Sequence, residues 1–199
     1  MFSLRTKQLT DLLATCLYDV HGEEINEERA LETCHRFFLN TKKNAGIIYV
    51  IGNGGSAGIA SHFCIDLINA LNLRAQTLYD SNVMTCVAND YGYDQVFSYP
   101  LKCLLKSTDM LVAVSSSGES PNILNAVHVA KQLALPIVTF SGFEASNALR
   151  QLGNLNFYLH SFDYGLVETG HFFLLHTIID AWNPDKVKNP LYSLCAYDK

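Results

Sequence analysis

The sequence predicts an α/β fold, a parallel sheet with helices on both faces, and three observations carry that prediction. Short apolar runs rich in β-branched residues, Ile47-Ile48-Tyr49-Val50-Ile51, Met110-Leu111-Val112-Ala113-Val114 and Ile137-Val138-Thr139-Phe140, recur along the chain and read as strands. Between them lie longer segments with apolar residues at helical spacing, the rhythm of βαβ units. Two of the runs open into loops rich in glycine or serine that continue as helices, which is how α/β proteins bring backbone N–H groups up to a phosphate.

Composition narrows the field. With 199 residues, 49% of them hydrophobic, the chain can bury one core, and a single domain over 1–199 is expected. The formal charge of −5 and the scarcity of Lys/Arg clusters argue against nucleic acid and anionic membranes as partners, leaving small molecules or copies of the chain itself. Six cysteines, Cys16, Cys34, Cys64, Cys86, Cys103 and Cys195, stand singly in apolar segments without Cys-x-x-Cys spacing, so they read as small buried hydrophobes. Met1-Phe2-Ser3-Leu4-Arg5-Thr6-Lys7 leads into an amphipathic pattern, unlike a signal peptide, and no apolar run approaches the roughly 18 residues of a membrane span. The expected location is the cytoplasm.

Taken in order, Leu9, Leu12, Leu13, Cys16 and Leu17 follow the spacing of a one-sided helix, and Leu31, Cys34 and Phe38 repeat it in a second helix over about 25–44. Two helices therefore precede the first strand, and their stripes must cover one side of the sheet or pack on another chain. After Gly52-Asn53-Gly54-Gly55-Ser56-Ala57 a helix runs to Asn72 with Ile59, Phe63, Leu67 and Ala70 as its core stripe. Residues 75–79 form the second strand, and Asp80-Ser81-Asn82 supplies caps for a short helix over 83–88. Asn89-Asp90-Tyr91-Gly92-Tyr93-Asp94 is a polar, aromatic loop of the kind that carries function on a rigid scaffold. Pro100 breaks or kinks the helix expected over 94–105.

The third strand, 109–114, is apolar enough to be buried on both faces. It ends in Ser115-Ser116-Ser117-Gly118-Glu119-Ser120-Pro121-Asn122, where Ser120 can cap a helix and Pro121 sits at its first position. The positive end of that helix points into a loop of hydroxyl and backbone donors, which suits a dianionic phosphate. A helix over 123–133, strands over 136–140 and 155–159, and a final helix over 166–182 follow, with Pro184 and Pro190 ending it and a short, partly irregular tail to Lys199.

Two sets of side chains carry chemistry. His62 and Asp66, four apart, leave the same helix face about one turn from each other and can share a proton or a metal ion. The plain alternative is a surface histidine beside a solvated carboxylate. The final helix carries Glu168, His171 and His176. His171 lies about 140° around the axis from His176 and reads as a packed or interface histidine; His21, His35, His128 and His160 receive no role.

Together, the glycine loop, His62-Phe63, Ala88-Asn89-Asp90-Tyr91-Gly92-Tyr93-Asp94 and the 115–122 serine loop resemble the sugar isomerase (SIS) domain, and within it the phosphoheptose isomerase family, in order and over nearly the whole chain. The resemblance implies a flavodoxin-like sandwich and a homotetramer. It also implies conversion of sedoheptulose 7-phosphate to D-glycero-D-manno-heptose 7-phosphate, toward the heptose of bacterial surface polysaccharides. By position, Asn53, Gly54, Gly55, Ser56, Asp66, Asn89, Asp90, Ser115, Ser116, Ser117, Ser120 and Glu168 resemble the substrate-binding set. His62, Asp66, Glu168 and His176 fall on the zinc ligands, and Asp66 and His176 on the catalytic pair. The chain departs from the family at Asp66, usually glutamate, at Leu166-Val167-Glu168-Thr169, usually Arg-Ile-Gln-Glu, and at Ala70, often arginine. Aspartate reaches about 1.5 Å less than glutamate.

Ketose–aldose interconversion moves a proton between neighbouring carbons through an enediol, and needs a base near C1 and C2 with an acid or metal near the oxygens. Asp66 as base and His176 as acid meet that need. Two imidazoles and two carboxylates suit zinc better than magnesium, although the four groups could also hydrogen-bond one another. In a continuous helix, Glu168 and His176 stand about 12 Å apart along the axis, too far for one ion from one intact helix. Either Glu168 precedes the helix proper or the site is assembled from two chains, and the expectation is the second, a site at a subunit interface. Two rival readings stand beside this one. A non-catalytic SIS scaffold associated with the bacterial replication initiator lacks both acid–base groups, so the retention of Asp66 and His176 argues against it; the other rival is an isomerase or sensor for a different sugar phosphate.

Overall fold

The computed structural model describes residues 1–183. The chain begins with α1 (Phe2–Ala14), β1 (Leu17–Val20), β2 (Glu23–Ile25) and α2 (Glu27–Lys43). β3 (Ile48–Gly52), α3 (Gly54–Leu71), β4 (Ala75–Gln76) and α4 (Ser81–Tyr91) follow, then a 3-10 turn (Tyr93–Gln95) and α5 (Ser98–Leu104). The remainder is β5 (Met110–Ser115), α6 (Pro121–Gln132), β6 (Ile137–Gly142), α7 (Ala148–Leu152), β7 (Leu155–Leu159) and α8 (Tyr164–Trp182).

The strands form one seven-stranded sheet in the order β2-β1-β7-β6-β5-β3-β4. Pairing is parallel from β4 through β3, β5 and β6 to β7, while β1 joins β7 antiparallel and β2 joins β1 antiparallel. Successive side chains leave opposite faces of a strand, and here both faces are covered. Ile48, Val50, Val112 and Val114 enter a core with α1, α2, α3 and α8. Tyr49, Ile51, Leu111 and Ala113 enter a second core with α5, α6 and α7. That is why β3 and β5 read as unbroken apolar runs.

Both N-terminal helices are present, but a β-hairpin stands between them, and it takes Leu17, which the sequence predicted as part of the first helix's stripe. Thr15 caps α1 one residue after Ala14, and Leu17 begins a strand instead of extending the stripe. The hairpin turns through His21 and Gly22, both at positive φ (53° and 83°), the backbone of a type I′ turn. It is anchored by Asp19, 3% exposed, whose carboxylate accepts from Arg150 Nε at 3.0 Å and Asn156 Nδ2 at 2.6 Å.

Four further expectations are corrected. The second strand shrinks to Ala75–Gln76, and α4 runs through Asn89 and Asp90 instead of releasing them as a loop. The helical break near Pro100 falls before it, because Pro100 occupies the first turn of α5, where no backbone donor is required of it. Cys16, Cys34 and Cys64 are buried, whereas Cys86 and Cys103 are exposed. Cys195, Pro184, Pro190 and the tail lie outside the described residues.

Candidate active site

Crossovers from β3 to β4 and from β5 to β6 run in opposite directions along the sheet. The carboxyl ends of the adjacent strands β3 and β5 therefore sit at a switch point, where open α/β sheets leave a crevice for ligands. Here the glycine loop and the serine loop meet. Asn53, Gly54, Gly55, Ser56, Ser115, Ser116, Ser117, Ser120, Tyr164 and Glu168 line a cavity of about 240 Å³.

Local chemistry shapes each wall. Tyr79 donates from its hydroxyl to the Gly52 carbonyl at 3.0 Å and pins the start of the glycine loop. The Glu168 carboxylate lies against Gly55, in the space a Cβ there would enter. In the serine loop, Gly118 at φ +67° donates its N–H to Ser115 Oγ at 3.2 Å. Ser120 occupies the N-cap of α6 but makes no side-chain cap bond; its hydroxyl lies 3.4 Å from Ser115 Oγ, at the cavity wall. Pro121 holds the first helical position, as expected. Ser116 is 5% exposed, and its Oγ has no hydrogen-bond partner among the described residues. A buried hydroxyl in that condition is a candidate ligand contact.

The second set converges where α3 packs against α8. Asp66 Oδ2 lies 3.3 Å from His176 Nδ1 and 3.5 Å from His62 Nε2. One ligand atom from each of the three residues lies within 4.8 Å of the others. Phe172 packs against both imidazoles, its ring centroid 5.2 Å from His62 and 4.5 Å from His176. Glu168 is absent from this cluster and faces the cavity two turns earlier on α8. Asn89 and Asp90 are not among the residues lining the cavity; they are exposed on α4, where Asn89 Nδ2 donates to Asp90 Oδ1 at 2.8 Å. His171 is fully buried, its Nε2 lies 3.1 Å from the Ser141 carbonyl, and burial pushes it down to about 4. It is a packed histidine, apart from the cluster.

Sequence reasoning passed over Tyr164, Tyr79 and Phe172. A signal for Tyr164 existed: Asp163 caps α8 by accepting from the Leu166 N–H, and an Asp in that position starts the helix at 164, one turn before Glu168.

Fold and site define an α/β protein with a glycine- and serine-lined cavity at a switch point of its sheet and a His-Asp-His cluster between α3 and α8. A family model described as "SIS domain" matches residues 20–142. Over 166 residues the chain is 34% identical to a phosphoheptose isomerase of Campylobacter concisus, covering 80% of this chain and 87% of that one. Its fold is similar to the solved phosphoheptose isomerase of Francisella tularensis, with TM-score 0.78 and 26% identity over 92% of this chain and 94% of that one. It is also similar to the enzyme of Neisseria gonorrhoeae, with TM-score 0.72 and 25% identity over 89% and 90% of the two chains. The chain belongs to the phosphoheptose isomerase family of SIS-domain proteins.

Proposed function

We propose that this protein interconverts sedoheptulose 7-phosphate and D-glycero-D-manno-heptose 7-phosphate, supplying heptose for surface polysaccharide. The observation that carries the reading is the 3.3 Å approach of Asp66 Oδ2 to His176 Nδ1, a carboxylate and an imidazole far apart in sequence brought together by α3 and α8, the two helices that also carry Gly55 and Glu168 of the cavity wall. The phosphate sits in the serine loop, taking the Ser116 hydroxyl and the positive end of α6. Asp66 Oδ2 faces both imidazoles, which leaves Oδ1 to take the C1 proton and return it to C2. His176 gives a proton to the C2 oxygen and receives one from the C1 hydroxyl, so the sugar passes through an enediol and no proton is lost. Retention of both groups disfavours a non-catalytic scaffold.

We further propose that zinc binds at His62, Asp66 and His176. Two imidazoles and a carboxylate within 4.8 Å form the three-ligand set of catalytic zinc with one position open. Zinc bound there would polarise the carbonyl. Glu168, about 12 Å along α8 from His176, joins such a set only across a subunit boundary.

A homotetramer with interface sites is part of the same reading. Ile65 and Ile68 on α3 and Phe173 on α8 are 45%, 43% and 55% exposed, apolar side chains on the two helices that carry the cluster, which a second copy would cover. The free thiols of Cys16, Cys34, Cys64, Cys86 and Cys103 fit a reducing, cytoplasmic setting, and no described helix is long and apolar enough to cross a membrane. Purified protein incubated with sedoheptulose 7-phosphate, with and without zinc, and followed by NMR for the aldoheptose phosphate tests the activity. A fully active monomer in gel filtration refutes the interface site.

A further inference from the structure

A reciprocal side-chain amide pair joins the glycine loop to the serine loop. Asn53 Nδ2 donates to Asn122 Oδ1 at 2.9 Å, and Asn122 Nδ2 donates back to Asn53 Oδ1 at 2.8 Å. The pair spans 69 residues of sequence, one member capping α3 and the other in the first turn of α6. Asn122 is 2% exposed. Its Oδ1 also accepts its neighbour Ile123's N–H at 3.0 Å, and Tyr93 brings its hydroxyl to 3.5 Å from Asn53 Oδ1. Three residues on, Asn125 Nδ2 donates to the Asp94 carbonyl at 3.0 Å and holds the Tyr93 turn against α6.

We infer that Asn122 is a positioning residue for ligand binding, acting through Asn53. A side-chain amide has one acceptor oxygen and two N–H donors. In a reciprocal pair neither amide can rotate by half a turn alone, because that would set nitrogen against nitrogen and oxygen against oxygen. Asn122 therefore fixes Asn53 with its oxygen satisfied and its second N–H unused. Asn53 lines the cavity and Asn122 does not, so the amide reaching an anionic ligand is held as a donor. The same contact sets the spacing between the loops, whose donors must converge on one ligand. This explains why the Tyr93-Asp94 part of the aromatic loop adjoins the site while Asn89 and Asp90 stay outside: it braces the clasp and contributes no wall.

The inference rests on the phosphosugar reading only for the identity of the ligand. The probe is accordingly inorganic phosphate, titrated by calorimetry into the intact protein, whatever the outcome of the isomerase assay. Asn122→Ala is expected to weaken phosphate binding about tenfold. In an Asn53→Ala background the same change should weaken it less than about twofold, since nothing remains for Asn122 to orient. Asn122→Asp, nearly the same volume, presents oxygen to Asn53 Oδ1 and should weaken binding more than Asn122→Ala; it carries the same cycle if the alanine variant fails to fold by circular dichroism. Wild-type affinity in both Asn122 variants, equal losses in both backgrounds, or no phosphate binding by the wild type would each overturn the inference.

Discussion

Replacing Ser116 by alanine should move stability and affinity in opposite directions. Ser116 lines the proposed phosphate cavity, and its buried hydroxyl has no partner among the described residues. An unsatisfied buried polar group costs about 1–3 kcal/mol. Removing it should therefore leave the fold as stable as before or firmer by about 1 kcal/mol, raising the melting temperature by about 2–4 °C in a chain of this size. Binding should suffer instead. A hydrogen bond to a charged oxygen contributes about 1.5–3 kcal/mol, so the KM for the sugar phosphate should rise about 10- to 100-fold. Thermal unfolding followed by circular dichroism and steady-state kinetics on the same preparation give both numbers. A variant that melts lower than wild type while keeping its KM would show that the hydroxyl supports the fold, and the cradle assignment would fail with it.

Three other outcomes follow from the same geometry. Asp19→Ala leaves Arg150 Nε and an Asn156 N–H without their acceptor behind the hairpin; breaking a buried pair in this way should cost about 3–5 kcal/mol, read as a lower urea midpoint with unchanged slope. His171 is held neutral by burial, near 4 against 6.5 in the unfolded chain, so the unfolded state binds the proton first as pH falls. Stability should be full above about 6.5 and decline by up to about 3 kcal/mol toward pH 4, a slope that should disappear in His171→Phe when urea midpoints are measured across that range. Chelation should lower turnover, added zinc should restore it, and His62→Ala should lose stoichiometric zinc in metal analysis; unchanged turnover in the chelated enzyme would separate the isomerase from the metal.

Much of the site was legible because its chemistry is local. The glycine loop and the serine loop each combine a buried strand, a turn and a helix start within about ten residues, and every step of that pattern leaves a mark in composition. The His62/Asp66 stripe was equally plain from helical spacing. What the sequence concealed depends on long-range pairing. Leu17–Val20 is a strand only because β7 lies beside it and Asp19 finds Arg150 and Asn156, and a His-Gly turn is a weaker hairpin mark than Asn-Gly. Asn122 stood in the quoted motif without a role, since its partner lies 69 residues away. Glu168 and His176 shared a predicted ligand set, yet an unbroken α8 holds them two turns apart, as the rise of a helix requires.

The central claim is that Asp66 and His176 move a proton on a sugar phosphate held in the cradle. NMR of purified protein with sedoheptulose 7-phosphate should show the aldoheptose phosphate accumulating to equilibrium, and Asp66→Asn and His176→Ala should each reduce the rate by at least about 100-fold while leaving the fold intact. No conversion by the wild type, or undiminished conversion by either variant, would contradict it.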